Sequence, residues 1–406
     1  MVNNSTPSSS NAGQSVLANN FTFLVIYLAG LSAFGSFVND MYLPSLPEMT
    51  HFFGCSASTV QLGLTFGMIG LGVGQLILGP FSDKYGRKRV LIISLVVFCA
   101  GAVASVFART IFFFLVCRLV QGLGASGGYF LARTIPTDIY HGRTLAKTMA
   151  IVGAINGFAP ASAPVIGGFV SARFGWQGVF VVLTVFAVVL LCFSRRLKET
   201  LPPARRSAGS VWKAFVGYFA LALNYRFMVH VTLKGAALGL LFAYLSSAPF
   251  IMQTHFGYSQ TVFGCIVGGN ALCVAAGSMV ALKFRKLKRG AVVGGWALMV
   301  TTLAESVTML TIDDFWTYEL LLLPMLFSMG MIFTVGNTLA MNEGRSDAGD
   351  ASAVIGVVGY VFGAVVAPVV GAGDIMRSTA LTFVVLAAVT LVFSVLSRRI
   401  PADLDQ

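Results

Sequence analysis

Twelve apolar runs, each long enough to cross the ~30 Å hydrocarbon core of a bilayer, dominate this chain. Six begin near Phe21, Val60, Val90, Ile111, Leu145 and Trp176, and six more near Phe227, Val262, Ala291, Tyr318, Ala351 and Thr379. A soluble helical core does not need so many runs of such length. Membrane β-strands would be about ten residues long with alternating polarity, which is not seen. Hydrophobic residues make up 56% of the 406 and charged residues only 10%, against about a quarter charged in soluble proteins. The pattern predicts an all-α membrane protein with twelve transmembrane helices in two six-helix, pseudo-symmetric halves. The first run is too long for a signal-peptide core, and no basic region precedes it.

The basic residues test that count. With the N-terminus inside, 22 of the 27 Lys and Arg fall in cytoplasmic segments, whereas the external loops hold only Arg109, Arg173 and Arg377. Arg118 and Lys234 lie inside apolar runs. So steep a bias fits the positive-inside rule and places both termini in the cytoplasm. The predicted organisation is a disordered tail over residues 1–19, a six-helix bundle over 20–194, a partly amphipathic cytoplasmic linker over 195–226, a second bundle over 227–397 and a cytoplasmic tail over 398–406. The net charge of +12 does not read as nucleic-acid binding, because the cations sit in short loops between apolar runs. The six cysteines form no CxxC pair and the four histidines are scattered, so neither a disulfide framework nor a metal site is expected. No HExxH, GxSxG or GxxxxGK[ST] occurs, so no enzyme activity is expected and direct drive by ATP is not supported.

The halves form a weak repeat. "APASAPVIGGFV" (Ala159–Val170) is echoed by "GAVVAPVVGAG" (Gly363–Gly373), anchored on Ala163-Pro164 and Ala367-Pro368. Paired six-helix halves imply a path between them near the bilayer midplane.

Four sets of residues stand out chemically. The loop "GPFSDKYGRKRV" ends the second run. Its Lys84, Arg87, Lys88 and Arg89 need be no more than an orientation signal. That reading leaves out Gly79, Asp83 and Gly86. An acid that pairs with an Arg and accepts from a helix N-terminus, a glycine for close helix approach and one for positive φ describe a latch. The basic counterpart "KFRKLKRG" in the second half lacks them, so the latch is one-sided. Arg118 is either a clamp on backbone carbonyls or part of a proton or substrate site, because a permanent cation in hydrocarbon needs a partner or a cavity. Asp40 is either an interfacial acid before the prolines Pro44 and Pro47 or the proton-coupling group. Its depth differs from that of Arg118 by only ~7 Å at 1.5 Å per residue. A carboxyl whose surroundings change between dry and cation-facing changes its proton affinity. Lys234 either snorkels to the cytoplasmic face or faces the cavity, repelling cationic substrates or binding anionic ones. Glu305 reads as a polar contact near the outer surface. Tyr27, Asn39, Tyr42, Gln121 and Asn156 are further candidates for the cavity wall.

"GPFSDKYGRKRV" resembles the loop signature of the major facilitator superfamily. "RLVQGLGASGG" (Arg118–Gly128) is similar to its fourth-helix signature, and "APVIGG" (Ala163–Gly168) to the fifth-helix signature of its proton antiporters. "NDMYLPSLPEM" (Asn39–Met49) resembles the end of the first helix in its twelve-helix drug-efflux branch, most like the bicyclomycin/chloramphenicol resistance (Bcr/CflA) group. The antiporter signature usually has Gly-Pro where this chain has Ala163-Pro164.

The resemblance implies a secondary active multidrug efflux transporter of the bacterial inner membrane, contributing to antibiotic resistance. It implies export of small, largely apolar compounds in exchange for protons by alternating access. Asp40 would be the protonatable acid and Arg118 its tuning partner. Gly79, Asp83, Gly86, Arg87 and Lys88 would form the cytoplasmic gate. Pro160, Ala163, Pro164, Gly167 and Gly168 would form the helix 5 antiporter motif. The expected energy source is the proton gradient, with no cofactor. Expected partners are a small-molecule drug or metabolite, protons and lipid, with the chain a monomer. Two alternatives stand beside this reading. One is a proton-coupled exporter of a specific purine, sugar or amino-acid derivative; the other is a non-transporting receptor or scaffold, which the short loops disfavour.

Overall fold

The computed structural model describes residues 21–206 and 212–400. The tail read over residues 1–19, part of the linker (207–211) and the final residues 401–406 lie outside the described residues.

The first half comprises α1 (Phe21–Asp40), the short α2 (Leu46–Phe53), α3 (Ala57–Tyr85), α4 (Arg87–Val106), α5 (Ile111–Ile139) and α6 (Gly142–Ser194). Residue Gly175 (φ +67°, ψ −177°) breaks α6 into two arms, a geometry that favours glycine because a Cβ would clash there. Hence 53 residues cross the membrane twice. After α7 (Trp212–Leu223) the second half comprises α8 (Tyr225–Pro249), α9 (Gln260–Ala281), α10 (Leu287–Thr311), α11 (Phe315–Glu343), α12 (Ala348–Val370) and α13 (Ile375–Arg399). The crossings begin within a few residues of the apolar runs. The linker helix α7 and the short α2 were not foreseen as separate helices.

Helix starts are fixed by side-chain caps. Ser56, Thr110, Asn224, Ser259, Asp314 and Asp374 each accept from the backbone N–H three residues on, satisfying amides that a helix leaves orphaned. At exposed Asp314 the Thr317 hydroxyl (2.6 Å) and amide (2.8 Å) hold the carboxyl below its usual range.

Helices then pack through small residues, because lipid gives no hydrophobic drive for apolar helices to associate. Gly70 and Gly74 of α3 lie against Gly122, Leu123 and Ser126 of α5. A Cβ on Gly122 would meet the Gly67 carbonyl and approach the Gly70 Cα to 2.9 Å. The expected close approach at Gly79 is not found. A Cβ there would sit 3.4 Å from the Phe130 ring, an ordinary contact.

The halves meet along two seams, α3 with α12 and the first arm of α6 with α9. These are the second crossing with the eleventh and the fifth with the eighth, the pairing a two-fold repeat requires. Helices α4, α10 and α13 and the second arm of α6 make no such seam and present exposed side chains such as Ile93, Val188, Val300 and Val385.

Expected outcome: Gly122→Ala lowers the thermal unfolding temperature of the purified protein, consistent with overpacking costs of about 1–3 kcal/mol. Gly79→Ala does not. The scan in detergent that finds the two equal overturns this account of α3–α5.

Candidate functional site

A cavity of about 580 Å³ lies between the halves. Its wall runs from Tyr244 and Asn270 in mid-membrane to Met341 and Ser352, close to the α11 and α12 ends on the face that carries Gly86. Toward that face the first arm of α6 parts from α9: Gly153, Gly157 and Gly269 have open space where a Cβ would stand.

The opposite face is sealed. Gly264 packs on the Pro164 carbonyl and Gly168 on the Gln260 carbonyl, while a Cβ on Gly268 would stand 2.6 Å from the Ala161 carbonyl. Side chains of the first half also reach across to backbone carbonyls of the second. Ser58 donates to Pro368 (2.7 Å), Gln61 to Ser246 (2.8 Å) and Thr65 to Ala364 (2.7 Å). The last bond has a plain cause. Pro368 lacks an N–H, so the Ala364 carbonyl four residues earlier has no helical donor, and Thr65 supplies one. In return Gln253 donates to the Pro44 carbonyl (2.9 Å) and Gln260 to Glu48 (3.1 Å), whose other oxygen accepts from the Trp176 amide (3.4 Å).

Asp40 ends α1, is 7% exposed and lines the cavity. It is the one carboxylate among the described lining residues. Arg118 is fully buried and does not form an ion pair with it. Its Nε donates to the Gly63 carbonyl (3.2 Å), and its Nη1 donates to the Val38 carbonyl (3.1 Å) and to Gln121 (2.8 Å). The guanidinium stacks 4.3 Å from the Tyr42 ring. Val38 is in the last turn of α1, where carbonyls have no helical donor. Arg118 therefore fastens the helix end that carries Asp40 to α3 and α5. The carbonyl clamp is the arrangement seen.

Of the residues proposed for the cavity wall, Asn39, Asn156 and Lys234 line it. Tyr27, Tyr42 and Gln121 do not. Tyr27 stacks on Phe23, Tyr42 lies under Arg118 against Phe180, and Gln121 donates to the Gly101 carbonyl and Ser105 within the first bundle. Rather than snorkelling, Lys234 donates to Asn337 (2.8 Å) and sits 5.0 Å from the Phe333 ring. In the helix 5 motif, Pro160 lines the cavity. Ala163 is buried, Gly167 packs on the Met41 carbonyl next to Asp40, and Pro164 and Gly168 form the seam with α9.

At the loop, Gly86 turns at φ +99° and Arg87 pairs with Asp83 (2.5 Å) and Asp138 (2.8 Å). The acid that accepts from the α4 N-terminus is Glu199, taking the amides of Arg87 (2.9 Å) and Lys88 (3.3 Å), and not Asp83. Lys88 donates to the Arg195 carbonyl (3.0 Å). Glu305 is fully buried, and neither of its oxygens has a hydrogen-bond partner among the described residues.

Sequence reading missed Arg133, Tyr129, Gln75, Tyr360 and Asn337 in the wall and Glu48 in the seal. Arg133, one of the 22 cations assigned to cytoplasmic segments, lies in the last turns of α5 and lines the cavity.

Two six-helix halves closed on one face around a central, largely apolar cavity are the architecture of a membrane transporter. The chain belongs to the major facilitator superfamily, whose family model matches residues 28–368. It is 34% identical over 86% of its length to an uncharacterised MFS-type transporter, YdgK, of Bacillus subtilis, covering 89% of that protein. A chloramphenicol resistance protein of Pseudomonas aeruginosa is 30% identical over 62% of this chain and 59% of its own length. The multidrug resistance protein MdtL of Escherichia coli O157:H7 is 26% identical, with 83% of each chain covered. Among solved structures, a bacterial homologue of the lysosomal transporter Spinster, inward-facing and occupied, superposes with a TM-score of 0.73 at 14% identity, over 93% of this chain and 97% of that one. The xylose transporter XylE of E. coli gives 0.72 at 10% identity, over 93% and 97%.

Arg118→Lys is expected to lower the unfolding temperature sharply, because an ammonium cannot reproduce the planar fork and each buried acceptor left unpaired costs about 1–3 kcal/mol. Wild-type stability in this variant, read by thermal unfolding, would remove the clamp.

Proposed function

We propose that this chain exports small, largely apolar compounds across the bacterial inner membrane in exchange for protons. The observation that carries the reading is Asp40, the single carboxylate among the described lining residues of the cavity, at a helix end held by Arg118 and packed on the antiporter-like motif through Met41 and Gly167. A proton on Asp40 changes the charge of the wall that substrate touches. Substrate and proton binding are then coupled reciprocally. The names of the chloramphenicol and multidrug resistance relatives support the substrate class.

In this reading the Gly86 face is cytoplasmic, as the positive-inside rule asks, and the cavity takes substrate from that side. Closing it requires the two halves to approach there. Asp83 is about half exposed, with Arg87 as its ion-pair partner; Asp350 in the first turn of α12 carries the same sign of charge and repels it. In this reading Asp83 serves the closing face through that ion pair, with Arg87 and Lys88 keeping the loop rigid.

The test is proteoliposomes with an imposed pH gradient and chloramphenicol, the compound named for one relative. Wild-type protein is expected to move it against its gradient. Asp40→Asn is expected to abolish the proton-driven component while solute counterflow persists. Gradient-driven transport that survives Asp40→Asn removes Asp40 from coupling. Asp83→Asn, correctly inserted, is expected to slow transport in the same assay; an unchanged rate reduces the loop to an orientation signal.

A further inference from the structure

The cavity wall carries two cations, Lys234 and Arg133, against the one carboxylate Asp40. Neither cation lies in an ion pair among the described residues. Lys234 spends one of its three donors on Asn337 and faces the Phe333 ring. Arg133 donates from one Nη to the Tyr129 hydroxyl (2.6 Å) and stacks on the same ring at 4.3 Å. An ammonium has three donors and a guanidinium five, so most of their capacity is uncommitted. The two are within electrostatic reach of each other, and their neutral neighbours leave that repulsion in place. Among the described residues Asp40 forms an ion pair with neither.

Two like charges in a partly dry cavity favour an occupant of opposite sign. The rest of the wall is greasy, with Leu238, Leu241, Phe242 and Met329 facing the same space. An inorganic anion would leave that surface uncovered. A planar carboxylate on an apolar body would satisfy both parts, taking the Arg133 fork and the Lys234 ammonium while its rings fill the apolar wall.

We propose that Lys234 and Arg133 together form an anion subsite in the central cavity, so that among small, largely apolar compounds those that carry a carboxylate bind best. This inference rests on the reading of the cavity as the substrate site. It differs from a mere repulsion of cations by Lys234, because it requires both side chains and predicts attraction.

The experiment is calorimetric titration of the purified full-length protein near neutral pH with 2-naphthoate and with 2-naphthalenemethanol, empty micelles subtracted. The probes share a ring system and differ in the carboxylate. Naphthoate is expected to bind at least about tenfold more tightly, equivalent to about 1.4 kcal/mol, through charge-assisted hydrogen bonds. That preference is expected to shrink in Lys234→Met and in Arg133→Gln, to vanish in the double variant and to survive in Lys234→Arg. Lys234→Gln, which keeps a donor for Asn337, replaces Lys234→Met if the latter fails to fold. Equal binding of the two probes, or a preference that persists in the double variant, overturns the subsite. If the alcohol binds and the acid does not, the anion inference falls and the cavity reading stands; if neither binds, both fall.

Discussion

Backbone groups in hydrocarbon have no water to bond with, and the fold is organised around supplying them with partners. Where helices are regular the bonds are internal. Where prolines and helix ends interrupt them, side chains fill the gaps. Thr65 serves the carbonyl that Pro368 strands, Gln253 serves Pro44, and Arg118 serves Val38 and Gly63. Several of these bonds cross between the halves on one face only. The same requirement that makes the protein stable in lipid therefore also makes its seal.

The cavity follows from the seal. With α6 and α9 locked together near Gly168 and Gly264 and spreading beyond Gly157, a space opens toward the opposite face. Its few polar groups then matter disproportionately, because they face a space with little competing charge. Asp40 stands in its wall on a helix end that Arg118 ties to α3 and α5. The Arg87 network at the other end is similarly over-determined, with Asp83, Asp138 and Ser82 on the side chain and Glu199 on the backbone. Glu199 comes from the stretch between the halves, tying the linker to the loop.

Much of this was legible in the chain. Apolar run length and the asymmetry of Lys and Arg indicated twelve crossings in two sets, because hydrocarbon thickness and charge placement are local properties of a segment. Asp40, Lys234 and Arg118 were conspicuous because a charge inside an apolar run is expensive. Gly79 was misread as a close contact, since a glycine in a helix does not reveal which face its neighbour occupies. Tyr27 and Tyr42 were candidates for the cavity wall, yet both are buried against aromatic rings. Arg133 was passed over because, in sequence, a cation near a helix end looks the same whether it faces water or a cavity.

The sequence by itself determined the membrane crossings, their number and the segments that carry charge, since each depends on residues within one turn or one span. Only the tertiary structure decided which face of each helix meets the other half. That choice sets Arg118 on carbonyls rather than on Asp40 and turns Lys234 and Arg133 toward a common space. Such pairings depend on helix tilt and rotation, which are fixed by packing between distant segments and leave no periodic mark in the chain.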